Sequence, residues 1–393
     1  MNMRETIPPA RVLLSGNHAA AWAARLARPK VVPLYPITPQ TPVLELLTDF
    51  QAAGEFDAEI VTVESEHSVM SACIPASLTG ARVFTATASQ GLLLMHEVLH
   101  YAAGARAPIV MVNVNRTVAS PWGFWPDQTD SMSQRDTGWI QYHVESAQEA
   151  LDTVLQAYRV AEQVGLPALV NFDAFYVSHA LEPVCIPTQQ QVDAWLPPYN
   201  PAQRLDPEAP SSWGNVVSAE MFARHRQALE QAMSDVPALA AEADRSWAER
   251  FGRSWGLVER YRCDGAHTLF VTLGSLAGTT REAVDRLRDA GEAVGLVRLR
   301  LFRPLPTAAL RAALAGARDV VVLDRNHSPG VGGVLAQELR AALYGRTGMP
   351  ARVHGVLSGV GGLDVPVARL VALAREARDA QTLLDADGPF WMR

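Results

Sequence analysis

Five short runs of β-branched and other apolar residues recur through the first half of the chain: KVVPLY, EIVTV, ARVFTAT, APIVMVNV and PALVNF. Runs without polar alternation must be covered on both faces, which is the situation of strands in a parallel sheet. Between them lie PVLELLTDFQAAG, HSVMSACIPASLTG with an internal proline, GLLLMHEVLHYAAG and SAQEALDTVLQAYRVAEQVG, all with helical spacing. Strand and helix in strict alternation predict an α/β fold with a doubly wound parallel sheet. In such sheets ligands sit beyond the carboxyl ends of the strands.

A length of 393 residues exceeds one ordinary core and suggests two or three domains. From Ala266 a second alternation begins: HTLFVTLG, TTREAVDRLRDAG, AVGLVRLRLF, TAALRAALAGA, DVVVLDRN, GVLAQELRAALYG and ARVHGVL. It predicts another, smaller parallel α/β unit. Its glycine-rich pieces GSLAGTT and SPGVGG complete neither GxGxxG nor a GK[ST] ending, so they read as turns opening helices rather than phosphate loops. We therefore expect domains at 1–190 and 256–393, with an extended linker and helix at 191–255. The linker is proline-rich and then charged, and it carries Trp195, Trp213 and Trp247. Because these rings need burial, the segment is expected to wrap a neighbour; the alternative is a plain surface linker.

The net charge is −7, with Lys and Arg spread along the chain, which argues against nucleic acid as the main partner. Three cysteines, Cys73, Cys185 and Cys263, lie far apart with no CxxC pair, so no locally ligated metal or iron–sulfur site is expected. Scattered thiols suit a reducing compartment. The opening MNMRETIPPARVLL has no signal-peptide pattern, and no apolar run approaches ~18 residues. A cytoplasmic protein with no membrane span is the expectation.

The strand ends carry the polar groups. YPITPQTP places prolines at 36, 39 and 42 after the first run, leaving Thr38 on a stiffened loop and Thr41 as an N-cap with Pro42 in the first helical position. ESEHS puts Glu64 and Glu66 at the next corner, ASQG brings Ser89, Gln90 and Gly91, and the fourth run is followed by Asn115 and Arg116. Each has a bland alternative: capping for the threonines, a helix-dipole complement for Glu66, a surface cation for Arg116, a tight turn for SQG. Together they point to a site at this edge and leave its identity open.

YPITP, SEH, TASQGLLLM, VNVNR and DQTDSMSQRDTGW resemble the α subunit of the 2-oxoacid:acceptor oxidoreductases, thiamine-diphosphate enzymes typified by pyruvate:ferredoxin oxidoreductase. The resemblance continues through LDPEAPSSWG, WGLVERYRC, TLGSLAGTTREAV, RLRLFRPLP and SPGVGGVLAQELRAALYG, nearly the whole chain in order. It implies a thiamine-diphosphate pyrimidine-binding domain followed by a smaller transketolase C-terminal-like α/β domain. It implies that Glu66 contacts N1′ of the aminopyrimidine and favours the tautomer that activates the thiazolium carbon. Ser89 and Gln90 would be further cofactor contacts, Thr38 would hydrogen-bond the 2-oxoacid, and Arg116 would hold its carboxylate.

The same resemblance implies partners, because this sequence shows no GDG with a downstream NN for the diphosphate. A β subunit would hold the diphosphate and Mg2+, a ferredoxin-like δ subunit the [4Fe-4S] clusters, alongside a γ subunit, and a flavin/NAD subunit is a further candidate. CoA would accept the acyl group. Trp122, Phe124 and Trp125 beside Arg116 are candidate pocket walls, suiting phenylglyoxylate or a branched-chain 2-oxoacid; alternatively they pack on the β subunit and the substrate is pyruvate. A transketolase or E1-type dehydrogenase, a nicotinamide-binding protein and a non-catalytic assembly subunit are the rival classes. The match at RDTGW and LFRPLP, the missing GxGxxG and the joint presence of Thr38, Glu66 and Arg116 speak against them in turn.

Overall fold

The computed structural model describes residues 10–201, 203–379 and 389–392; most of the opening segment read above for a signal peptide, residues 1–9, lies outside them. The first part runs β1 (Ala10–Leu14), α1 (Gly16–Ala27), β2 (Val31–Leu34), α2 (Thr41–Ala52), β3 (Glu59–Thr62), α3 (Glu66–Leu78), β4 (Phe84–Thr87), α4 (Ser89–Leu94), α5 (His96–Gly104) and β5 (Val110–Asn115). It continues through α6 (Thr129–Met132), β6 (Ile140–His143), α7 (Ala147–Val164), β7 (Ala168–Asp173), β8 (Glu182–Ile186), α8 (Gln189–Trp195) and the long α9 (Ala219–Phe251). The rest comprises β9 (Val258–Tyr261), β10 (Thr268–Thr272), α10 (Leu276–Asp289), β11 (Val294–Leu299), β12 (Leu301–Arg303), α11 (Thr307–Leu314), β13 (Asp319–Asp324), α12 (Val334–Leu343), β14 (Arg352–Leu357), α13 (Val367–Asp379) and β15 (Phe390–Trp391).

The first sheet has the order β12-β6-β7-β5-β4, and a parallel bridge between Val31 and Val83 carries it on to β2 and β3. All its pairings are parallel except that of β12. Every residue of β5 and β7 is buried, as unbroken apolar runs require. Because β2, β3, β4, β5 and β7 run the same way, their carboxyl ends open on one edge. The second sheet, β15-β14-β13-β10-β11-β9, is parallel apart from β9.

Two devices join the sheets. Strand β12 follows β11 directly and adds itself antiparallel to β6, Leu301 opposite Tyr142. Beneath it lies a buried ionic layer. Arg298 reaches Glu149 of α7 at 2.7 Å and Glu259 at 2.8 Å, and Arg281 reaches Glu145 at 2.7 Å. Arg300 donates to Thr153 Oγ1 and Gln156 Oε1, each at 2.8 Å. The RLRLFRPLP motif is thus a fastener between the sheets. Glu149→Ala would remove the fully buried carboxylate shared by Arg298 and Arg300, leaving Arg298 with Glu259 at 2.8 Å and Arg300 with only Asp244 at 3.7 Å. Breaking such a buried pair costs about 3–5 kcal/mol. A fall of several degrees in the thermal midpoint of the purified protein is the expected reading, and an unchanged midpoint would speak against the fastener.

Two of the three linker tryptophans find their burial within the chain, so the need for burial does not by itself require a neighbour. Trp195 and Trp247 are buried edge to face at 4.9 Å, and α9 packs along α7. Leu205 N donates to the Leu78 carbonyl at 2.7 Å, laying the linker over α3. Half-buried Trp213 lines a hollow of about 420 Å³ with Ile74, Leu78, Val98 and Tyr101. None of the described helices is long and apolar enough to cross a membrane.

Candidate active site at the carboxyl edge of the first sheet

The loop after β2 is held from both sides. Asn17, buried at the start of α1, donates from Nδ2 to the Pro39 carbonyl at 2.7 Å, and Gln40 Nε2 donates to the Tyr35 carbonyl at 2.9 Å. Helix α2 begins at Thr41 itself, with Gln40 as N-cap and no side-chain cap bond, so Thr41 is not the N-cap expected from the sequence. The buried Gln40 side chain is spent on the loop, and Pro42 fits the first turn either way. Thr38 is left exposed at the edge.

At the next corner Ser65 is extended and caps α3, accepting from Ser68 N, so that Glu66 opens the first turn. Glu64 turns outward and accepts from Ser68 Oγ at 2.5 Å, whereas Glu66 turns inward and is 8% exposed. Among the described residues no protein donor hydrogen-bonds the Glu66 carboxylate. Gly91 of α4 presses against it: a Cβ there would stand 2.6 Å from both Glu66 Oε1 and Thr87 Oγ1. Gly91→Ala should therefore push Glu66 aside and cost about 1–3 kcal/mol of stability together with most of the activity. Full activity in that variant would show the space in front of Glu66 to be idle.

Strands β4 and β5 are tied at their ends by one carboxylate that the sequence does not advertise. Asp130, fully buried in α6, accepts from Asn115 Nδ2 at 2.6 Å, Ser131 N at 2.7 Å, Ser89 N at 3.1 Å, Arg116 N at 3.2 Å and Asn113 Nδ2 at 3.3 Å. Burial pushes its carboxyl up to about 7, against the pull of these donors. Ser89 is held at φ 47°, a left-handed conformation uncommon for a non-glycine residue. Its hydroxyl lies 2.5 Å from Gln90 Oε1 and also against the Thr117 carbonyl, so its single proton serves one of the two at a time.

Arg116 lies at the centre. It is 5% exposed, and it donates from Nη1 to the Thr38 carbonyl and from Nη2 to Gln90 Oε1. Its Nε is buried without a partner, and the Trp122 ring lies 5.0 Å above the guanidinium. Burial lowers its pKa, while Asp130 and Glu66 pull it back up across a distance. The other buried arginines among the described residues, Arg82, Arg298, Arg300 and Arg325, all have a carboxylate within 4.0 Å. Arg116 has none. A guanidinium cannot shed its proton, so this site holds a buried cation with no direct ion-pair partner among the described residues.

Thr38, Glu66, Ser89, Gln90 and Arg116 are thus brought to one edge. The three aromatic residues are divided: Trp122 covers Arg116, Phe124 stands edge to face on Trp122 at 5.1 Å, and Trp125 packs on Phe175 and Tyr176 at 5.4 and 6.2 Å. Asp130, Asn17, Gln40 and the role of Gly91 go unread in the sequence; DQTDSM marks the place of Asp130 but not its function. The glycine turns of the second unit are filled by the chain's own carboxylates. Asp324 accepts from Leu335 N and Ala336 N at the start of α12, and Asp173 accepts from Ser275 N and Oγ at the start of α10.

Glu66 and Arg116 thus stand at one strand edge, with a second, mainly parallel sheet fastened behind. The fold is shared with a solved 2-oxoglutarate:ferredoxin oxidoreductase from Magnetococcus marinus, with a TM-score of 0.71 at 21% identity over 93% of this chain; this chain spans 65% of that one's length. It is shared more loosely with a split-gene transketolase, with a TM-score of 0.53 at 14% identity over 93% of this chain and 98% of that one.

Residues 22–245 match the family model for pyruvate flavodoxin/ferredoxin oxidoreductase, thiamine diphosphate-binding, and residues 266–370 that for pyruvate:ferredoxin oxidoreductase core domain II. Pyruvate synthase subunit PorA of Methanothermobacter thermautotrophicus is 47% identical over 94% of this chain and 96% of its own length. Ketoisovalerate oxidoreductase subunit VorA of Pyrococcus abyssi is 46% identical over 94% of each. The chain belongs to the α subunits of the 2-oxoacid:ferredoxin oxidoreductase family.

Proposed function

We propose that this chain is the α subunit of a complex that converts an aliphatic 2-oxoacid and CoA into acyl-CoA and CO2, passing two electrons to iron–sulfur clusters of a partner subunit. Arg116 is the observation that carries the reading. A buried cation with no direct ion pair, held as a fixed fork by neutral oxygens, suits a carboxylate. Similarity to a pyruvate synthase subunit and a ketoisovalerate oxidoreductase subunit supports an acid in the range from pyruvate to 2-oxoisovalerate.

The residues present fit thiamine diphosphate. Glu66 offers a buried carboxylate with no protein donor, and Gly91 keeps open the space that a Cβ would fill. When bound, the cofactor supplies a nucleophilic carbon and a sink for the electron pair left behind as CO2 departs. Glu66 would hold the proton at the pyrimidine N1′, and Ser89 would line the cofactor's edge. Arg116 would bind the substrate carboxylate and Thr38 would hydrogen-bond the acid, so that the bond to be cleaved is fixed in place. The diphosphate with its Mg2+ is assigned to a β subunit, the [4Fe-4S] clusters to a ferredoxin-like δ subunit, and a γ subunit completes the complex, in the cytoplasm. Residues 1–190 form the pyrimidine-binding domain in this reading, 191–255 the linker and helix, and 256–393 the transketolase C-terminal-like domain.

The stacking of Trp122 over Arg116 favours a second reading, an aromatic 2-oxoacid lying along that ring. An anaerobic assay of the complex purified through this chain, with CoA, a viologen dye and in turn pyruvate, 2-oxoisovalerate and phenylglyoxylate, separates them. Fastest reduction with pyruvate or 2-oxoisovalerate is expected. Fastest reduction with phenylglyoxylate would establish the second reading, and no reduction with any of the three would overturn both.

A further inference from the structure

Gln90 has a role in this geometry that a cofactor contact does not describe. Its Oε1 accepts from Arg116 Nη2, while the other terminal nitrogen of the same guanidinium donates to the Thr38 carbonyl. Both acceptors are neutral. They fix the plane of the fork and leave its charge unspent, with Nε still lacking a partner. A carboxylate in either place would instead form an ion pair and satisfy the cation internally.

The placement of Gln90 is itself constrained. It follows Ser89, whose left-handed φ of 47° aims the next residue across the strand ends. That conformation is held by the bond from Ser89 N to Asp130 Oδ2 at 3.1 Å, and the same oxygen accepts from Arg116 N at 3.2 Å. One buried carboxylate therefore anchors the backbones of Arg116 and of Ser89, the residue that precedes Gln90. The Gln90 and Arg116 side chains meet because these two stretches of main chain are pinned to a common point.

We propose that Gln90 is a positioning residue of the substrate site, a neutral acceptor that orients the Arg116 fork while leaving its charge for the incoming carboxylate. This rests on the reading of Arg116 as the 2-oxoacid receptor. The near-isosteric Gln90→Glu replacement would supply an internal carboxylate that competes with substrate for the same guanidinium. Gln90→Leu would remove the orienting bond without adding charge.

The test uses the assembled complex. Steady-state kinetics with the 2-oxoacid are combined with calorimetric binding of oxamate, a non-reacting pyruvate isostere, and of thiamine diphosphate. For Gln90→Glu the KM is expected to rise by about 10- to 100-fold, well beyond any change in kcat. Oxamate should weaken in parallel and thiamine diphosphate should bind as before. Gln90→Leu should raise KM less than Gln90→Glu. A KM within about twofold of wild type in Gln90→Glu, or a loss confined to thiamine diphosphate affinity, would overturn the proposal and make Gln90 a cofactor contact or a bystander. If the wild-type complex oxidises no 2-oxoacid yet binds oxamate in a Gln90-dependent way, the positioning role stands and the oxidation reading fails. If it does not bind oxamate at all, both fail.

Discussion

Complexes carrying Glu66→Gln are expected to assemble normally and to lose about 10²- to 10⁴-fold of their turnover, the range removed when a positioned acid or base is deleted. The substitution keeps the shape and nearly the volume of the side chain, so the first turn of α3 and its Ser65 cap should survive. What disappears is the ability to hold a proton. No donor of the described protein hydrogen-bonds that carboxylate: it lies inside the first turn, 8% exposed, with a glycine placed where a Cβ would collide with it. A carboxylate turned inward at a strand edge, with no protein hydrogen bond of its own, is free to meet a ligand. Gel filtration checks assembly and anaerobic dye reduction checks turnover. Turnover within about threefold of wild type would remove Glu66 from the chemistry.

Arg116→Met should act with opposite signs on activity and stability. Loss of charge-assisted bonds to a carboxylate costs about 1.5–3 kcal/mol, so KM for the 2-oxoacid should rise at least tenfold. The same change removes a buried cation that has no ion-pair partner in the described chain, so the melting temperature should hold or rise. Glu149→Ala is its counterpart: there the arginines are paired and breaking the pair destabilises. A fall in melting temperature for Arg116→Met, of the size expected for Glu149→Ala, would mean that Arg116 is a structural arginine after all.

How far the sequence could be read follows from what each residue answers to. β2, β4, β5 and β7 are legible because strands covered on both faces must be continuous apolar runs, and the corners after them follow from parallel order. β3 carries the same apolar run but lies at the edge with no buried residue, so the two-sided cover expected of EIVTV is not found. β6, with the polar-looking IQYH, escapes because Gln141 and His143 are buried by neighbours that only the fold supplies. Glu66 and Arg116 stand out by position at strand ends. Asp130 does not, since a carboxylate that satisfies five donors from three segments has no local pattern. The aromatic trio shows the limit most plainly: Trp122 and Trp125 are three positions apart, yet one lies on Arg116 and the other on Phe175. Adjacency in sequence says nothing of side-chain direction in a loop. Trp195 and Trp247 bury against each other within the chain, whereas Trp213 stays half-buried at the rim of a hollow over α3, and no sequence pattern separates the three.

The family resemblance supplied the chemical meaning of the edge, and the structure supplied the reason the RLRLFRPLP segment accompanies it. Arg298 and Arg300 fasten the second sheet to α7, and Arg325 reaches Asp173 at the carboxyl end of β7 at 2.9 Å. The second unit thereby braces the strand ends on which the site is built.

The most direct test is a structure of the assembled complex with thiamine diphosphate and oxamate bound. The carboxylate of oxamate is predicted to lie on the guanidinium of Arg116, with the pyrimidine N1′ on the Glu66 carboxylate. Oxamate bound away from Arg116, or a pyrimidine ring that does not reach Glu66, would contradict it.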